Sequence, residues 1–131
     1  MTSPPRRIAI LDDDQSVRTA ITRLLKTAGM DAVCHASSRT LFNALEREDP
    51  PDCLVLDLQM PGMGGMEVLQ YLRHANIRVP IVIITAHDEL GSPAACLAAG
   101  ASAYLRKPLD ADELIQAIGE AILTSEETSR H

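Results

Sequence analysis

Apolar and polar positions along this chain follow two alternating rhythms. Short strand-like runs fall at Ile8 to Leu11, about Asp31 to His35, Cys53 to Leu56, Ile81 to Ile84 and about Ser102 to Leu105. Apolar runs of this length, bounded by turn residues, predict strands buried on both faces, as in parallel sheets covered by helices on either side. Ile81 to Ile84 is the most strongly β-branched run and is read as a central strand. Between the runs the apolar spacing changes to that of helices. Val17, Ile21, Leu24, Leu25 and Ala28 form one stripe, closed by Gly29 in a C-cap position. Leu41, Ala44 and Leu45 line a second helix near Ser38 to Glu48, which Pro50 and Pro51 stop. Met66, Leu69 and Leu72 mark a third helix. Ser92 and Pro93 read as N-cap and N1 of a short alanine-rich helix to Ala99, with Gly100 as its terminator. Asp110 with Glu113 resembles a capping box for the last helix, whose inner face is Leu114, Ile118 and Ile122. From Thr124 onward the polar composition predicts a frayed end.

Five strand-helix units in succession predict an α/β fold, a doubly wound five-stranded parallel sheet with right-handed crossovers. Open sheets of this kind bind ligands outside the carboxyl ends of their strands, where the strand order reverses. The residues just past each run are therefore the candidates for chemistry. Asp12 and Asp13 follow the first strand, Asp57 the third, Thr85 the fourth and Lys107 the fifth. In the order 2-1-3-4-5, strands one and three are neighbours at the switch point, so the carboxylates of Asp12, Asp13 and Asp57 converge there. The stretch PDCLVLDLQMPGMGG, Pro51 to Gly65, puts Asp57 at the end of an apolar run, and a proline-glycine segment then turns the chain away.

Composition narrows the picture. A length of 131 residues fits one domain, with a core at about 6–123 and residues 124–131 as a frayed tail or the start of a linker. With no Trp, one Phe and two Tyr, the core is aliphatic and there is no aromatic platform for single-stranded nucleic acid. A formal net charge of -6 argues against direct nucleic-acid binding. No apolar run reaches the length of a membrane span, and Met1 to Arg7 lacks the apolar segment of an export signal. Cys34, Cys53 and Cys96 are scattered without paired spacing and read as buried small hydrophobes in a reducing, cytoplasmic compartment. His35, His74, His87 and His131 supply no metal-ligand spacing. Met60, Met63 and Met66 read as turn and core packing.

Carboxylates brought together raise one another's pKa unless a cation compensates them. A hard divalent ion does this, and Mg²⁺ takes one or two carboxylates together with water and phosphate oxygens. Lys107 adds a point positive charge, and the Thr85 hydroxyl can donate to a phosphoryl oxygen. Asp57 is the candidate nucleophile, since a carboxylate can form an aspartyl-phosphate. Phosphoryl transfer requires mainly positioning and charge neutralisation, which these groups supply.

Asp12-Asp13, Asp57 with the MPGMGG segment after it, Thr85-Ala86 and Lys107-Pro108 match, in order and spacing, the motifs of the receiver domains of two-component response regulators. The sequence resembles that family over about residues 6–123. The resemblance implies the flavodoxin-like receiver fold with strand order 2-1-3-4-5. It implies that Asp57 accepts a phosphoryl group from a phosphohistidine on a sensor histidine kinase or phosphotransfer protein. Mg²⁺, with Mn²⁺ as its substitute, would be held by Asp13, Asp57 and the backbone carbonyl of Gln59, with Asp12 acting largely through water. Thr85 and Tyr104 match the switch pair, Gln59 and His87 the positions that tune phosphoryl lifetime, and Lys107-Pro108 a bond that is cis in the family. By the same resemblance the chain is a phosphoacceptor signalling domain that promotes its own phosphorylation and slow autodephosphorylation, rather than an enzyme. The face built from the fourth helix, fifth strand and last helix would meet a partner or a second copy. Output would be transcription if a DNA-binding domain follows, or protein contact if the receiver stands alone. A phosphohydrolase resembling the haloacid dehalogenases would carry a second acid two residues after the nucleophile, where this chain has Gln59. A degenerate scaffold would lack a site member, and none is missing.

Overall fold

The computed structural model describes residues 4–47, 49–86 and 93–129. Strands and helices alternate as β1 (Arg7–Leu11), α1 (Gln15–Thr27), β2 (Asp31–His35), α2 (Ser38–Arg47), β3 (Cys53–Asp57), α3 (Gly65–His74), β4 (Ile81–Thr85), α4 (Pro93–Ala98), β5 (Ala103–Arg106) and α5 (Ala111–Ser129). The strands form one parallel sheet in the order β2-β1-β3-β4-β5. The doubly wound order expected from the sequence is the one observed.

The two-residue period of the strands divides the core into two halves. Ile8, Ile10, Cys53, Val55, Val82, Ile84 and Leu105 pack with Ile21 and Leu25 of α1 and with Leu114, Ile118 and Ile122 of α5. Their neighbours Ala9, Leu11, Leu54, Leu56, Ile81 and Ile83 pack with Leu41 of α2, Val68, Leu69 and Leu72 of α3, and Cys96 of α4. All residues of β3 and β4 are buried, which explains their unbroken apolar sequences. Each fully buried Leu, Ile or Val side chain contributes roughly 1.5–3 kcal/mol relative to exposure. The aliphatic sheet therefore carries the stability of the fold.

Helix ends follow their local chemistry. Asp14 caps α1 by accepting from Ser16 N–H at 2.9 Å, and Gly29 follows its last turn at a φ of 76°. Asp110 accepts from Glu113 N–H at 2.9 Å, which is the N-cap half of the expected box. Ser92, the expected N-cap of α4, lies outside the described residues.

Three expectations are corrected. Cys34 is exposed, because β2 is an edge strand and the Cys34 thiol lies 3.3 Å from the Thr22 hydroxyl at the rim of α1. Val68, absent from the expected stripe of α3, is fully buried beside Leu69 and Leu72. The last helix does not fray at Thr124 but continues to Ser129. Arg6 reaches it from the amino-terminal end of the sheet with Nη2 2.7 Å from Glu126 Oε1, and Thr128 Oγ1 donates to the Thr124 carbonyl at 3.0 Å.

One contact holds the chain against β3 after it leaves the sheet. At Gly65, a Cβ would lie 2.5 Å from the Asp57 carbonyl oxygen and 2.7 Å from Leu58 Cα, both main-chain atoms. Gly65 N–H donates back to the Leu58 carbonyl at 3.1 Å. Only glycine fits between the start of α3 and the end of β3. Gly65→Ala should lose about 1–3 kcal/mol of folding stability through overpacking, measured by chemical denaturation. A variant as stable as the parent would refute the tight approach.

Candidate functional site

The carboxyl edge of the sheet gathers its polar residues by strand phase. Asp12, Asp57 and Lys107 each lie two residues beyond a member of the core half that faces α1 and α5, namely Ile10, Val55 and Leu105. Parallel pairing of β1 with β3 brings Leu11 beside Leu56, so the aspartates that follow them end side by side. Lys107 reaches them from past β5, its main-chain N–H donating to the Thr85 carbonyl at 2.8 Å. The Lys107-Pro108 bond is cis, as the resemblance implies.

Asp12, Asp13 and Asp57 each offer a carboxylate oxygen within 4.8 Å of the others. Asp12 and Asp57 are 0% and 3% exposed, whereas Asp13 is open to solvent. Lys107 Nζ lies 3.0 Å from Asp12 Oδ2 and 3.6 Å from Asp57 Oδ2, so one ammonium bridges both buried acids. The opposite oxygens are held by main-chain donors: Asp14 N–H is 2.9 Å from Asp12 Oδ1, and Gln59 N–H is 3.2 Å from Asp57 Oδ1. These groups open onto a cavity of about 650 Å³ that Gln59, Met60, Pro61 and Ala86 also line.

Burial raises the pKa of Asp57, and the neighbouring Asp12 charge pushes it further up. The Gln59 N–H and the Lys107 ammonium pull it down, while Asp13 adds a further upward push. Three acids against Lys107 and the nearby Arg18 guanidinium leave the cluster short of positive charge. A concentration of hard oxygen donors with that deficit fits a divalent cation such as Mg²⁺.

The other expected residues separate by position. Thr85 is fully buried at the end of β4. Tyr104 is half-buried on β5, in register with Ile83, and packs against the core half that contains α4. Gln59 is at the cavity, and His87 lies outside the described residues. Asp14, third in the acidic run, caps α1, and its carboxyl is held below its ordinary range by the Ser16 hydroxyl and N–H. Arg18 was not singled out by the sequence, yet its Nη1 donates to the Asp12 carbonyl at 2.6 Å. The available signal was its place one turn into the helix that follows the acids.

Fold and cavity together define an α/β domain with an acidic, lysine-bridged pocket at its topological switch point. The chain belongs to the response regulator receiver domain family, whose model matches residues 8–119. It is 35% identical over 113 residues to the DNA-binding transcriptional regulator NtrC of Klebsiella pneumoniae, covering 86% of this chain and 24% of that protein. Against a receiver protein structure from Burkholderia phymatum the identity is 40% and the TM-score 0.79, covering 89% of this chain and 94% of that one. Against full-length FixJ from B. japonicum the TM-score is 0.87 at 28% identity, covering 98% and 63% of the two chains. The chain spans about a quarter of NtrC and about half of the response regulator TodT of Pseudomonas putida. Among the described residues no helix is long and apolar enough to cross a membrane.

The raised pKa of Asp57 has a stability consequence with a definite sign. Well below the ordinary carboxylate range both folded and unfolded chains hold the proton, and there is no penalty. As pH rises through that range the unfolded chain releases its proton first, so folding stability falls until pH passes the raised value. Asp57→Asn should therefore melt higher than the parent at neutral pH without divalent ions, with the advantage shrinking in acid. Thermal midpoints from pH 3 to 8 check this, and a pH-independent difference between the two proteins would contradict it.

Proposed function

We propose that this receiver, acting in the cytoplasm, takes a phosphoryl group on Asp57 from the phosphohistidine of a sensor histidine kinase or phosphotransfer protein. The observation that carries the reading is the single ammonium of Lys107 bridging Asp12 and Asp57 beside the open carboxylate of Asp13. An Asp57 carboxylate oxygen forms the new bond to phosphorus as the phosphorus–nitrogen bond of phosphohistidine breaks. The bonding pair stays on the imidazole, which takes a proton from solvent. Mg²⁺ would be held by Asp13, Asp57 and the Gln59 carbonyl, with Asp12 through water, and Mn²⁺ would serve in its place. When bound it neutralises charge shared between carboxylate and phosphoryl oxygens.

The protein's own groups divide the remaining work. Lys107 pairs with the incoming phosphoryl charge, and the Thr85 hydroxyl donates to a phosphoryl oxygen. That new bond biases α4 toward a second arrangement, which Tyr104 locks by turning inward. Gln59 and His87 match family positions that set the lifetime of the phosphorylated form. The face of α4, β5 and α5 then meets a partner or a second copy, and exposed Leu97 and Leu123 on its two helices support that role. The similarity to NtrC, described as a DNA-binding transcriptional regulator, supports transcription as the output, exerted through another domain and not through this acidic one.

Intact mass after incubation with acetyl phosphate tests the chemistry. The expected result is one phosphoryl adduct that requires both Mg²⁺ and Asp57, lost in Asp57→Asn and on chelation. A folded, Mg²⁺-supplied parent chain with no adduct would remove this reading.

A further inference from the structure

Arg18 lies one turn into α1 and reaches back over the helix start. Its main-chain N–H donates to the Asp14 carbonyl at 3.1 Å, as the helix requires, while its guanidinium Nη1 donates to the Asp12 carbonyl at 2.6 Å. The donor is charged, which strengthens the bond over a neutral one. Asp12 is thus held at three atoms: by Arg18 at its main-chain oxygen, by Asp14 N–H at Oδ1, and by Lys107 at Oδ2. Asp13 is different. It is exposed, and among the described residues no hydrogen bond or ion pair fixes its carboxylate. The position of that carboxylate is set by the main chain on which it sits, between the tethered Asp12 and the N-cap Asp14.

We propose that Arg18 is a positioning residue for the divalent-cation site, clamping the Asp12 carbonyl so that the β1–α1 turn holds Asp13 against Asp12 and Asp57. This rests on the receiver reading, which supplies the cation. Arg18 touches neither phosphoryl group nor ligand oxygen in this scheme. It acts by fixing the turn, as groups behind metal ligands orient the ligands themselves.

The proposal has a sign that separates it from simple electrostatics. Arg18 is a positive charge near three carboxylates. If charge were its only effect, removing it would tighten cation binding. If it is a clamp, removing it weakens binding although repulsion is relieved. Arg18→Met keeps most of the aliphatic stem and loses the donor. Arg18→Lys keeps both the charge and a donor on a similar stem, without the rigid fork.

Isothermal titration of the whole chain with Mg²⁺ reads the difference, with thermal midpoints recorded in parallel. Arg18→Met should bind Mg²⁺ about tenfold more weakly than the parent, and Arg18→Lys should fall between the two. Unchanged or tighter binding in Arg18→Met overturns the clamp, as does an Arg18→Lys variant no better than Arg18→Met. Should Arg18→Met fail to fold, Arg18→Gln takes its place with the same expected and overturning results. A parent chain that binds no Mg²⁺ removes the proposed Mg²⁺-dependent phosphoacceptor function and the clamp with it. A parent that binds beside an unaffected Arg18→Met removes the clamp alone.

Discussion

The site depends on a single ammonium. Lys107 arrives fifty residues after Asp57, yet its Nζ lies within 3.0 Å of one buried acid and 3.6 Å of another. A parallel sheet makes this meeting geometrically simple, since every strand ends at the same edge and its next residue joins the same cluster. A buried ion pair of this sort is weak evidence for stability, because desolvation offsets much of the Coulomb attraction. Here a second acid shares the lysine, and burial and repulsion drive the pKa of Asp57 upward. The stability that tolerates this arrangement comes from the aliphatic residues of β1, β3 and β4 beneath it.

Strand phase assigns the remaining roles. Residues in step with Ile10, Val55 and Leu105 end in the acid-lysine cluster. Thr85 and Tyr104 keep the opposite phase, in step with Ile83, whose half of the core contains α4. Asp57 on one side, and Thr85 with Tyr104 on the other, therefore approach the same edge from opposite halves of the core. The Lys107 N–H to Thr85 carbonyl bond joins the chain of one group to the chain of the other.

Local pattern made most of this legible. Apolar run, turn and helical stripe repeat cleanly, so the element order and the positions of Asp12, Asp13, Asp57, Thr85 and Lys107 are legible in the sequence, while the sheet order is what the resemblance to receiver domains implies. The parts that escaped are contacts whose partners are distant in sequence or lie on the main chain. Gly65 looks like an ordinary loop glycine until the Asp57 carbonyl is found against it. Arg73 looks like a surface cation, yet its Nη2 donates to the Gly100 carbonyl at 2.8 Å and to the Val79 carbonyl at 3.3 Å, joining the end of α3 to the chain before β4 and after α4. The last helix runs on past Thr124 with Glu126 paired to Arg6 from the other end of the chain, a contact that the polar composition after Thr124 does not encode. Cys34 was misread because an apolar-looking residue on an edge strand has only one covered neighbour.

The acidic triplet after β1 resolves into three physical roles, and the division explains how so much negative charge is gathered at one point. Asp14 turns its carboxylate onto Ser16 and starts α1, which aims the positive end of the helix dipole toward the acids before it. Asp12 is fully buried and tied down by Arg18, Asp14 N–H and Lys107. Asp13 remains open at the mouth of the cavity. Helix dipole, Lys107 and the nearby Arg18 guanidinium together moderate the repulsion without cancelling it, because a dipole's partial charge and two cations stand against three carboxylates. A site balanced at that point retains a deficit of positive charge that fits a divalent cation, and Asp13 is the acid left open to solvent.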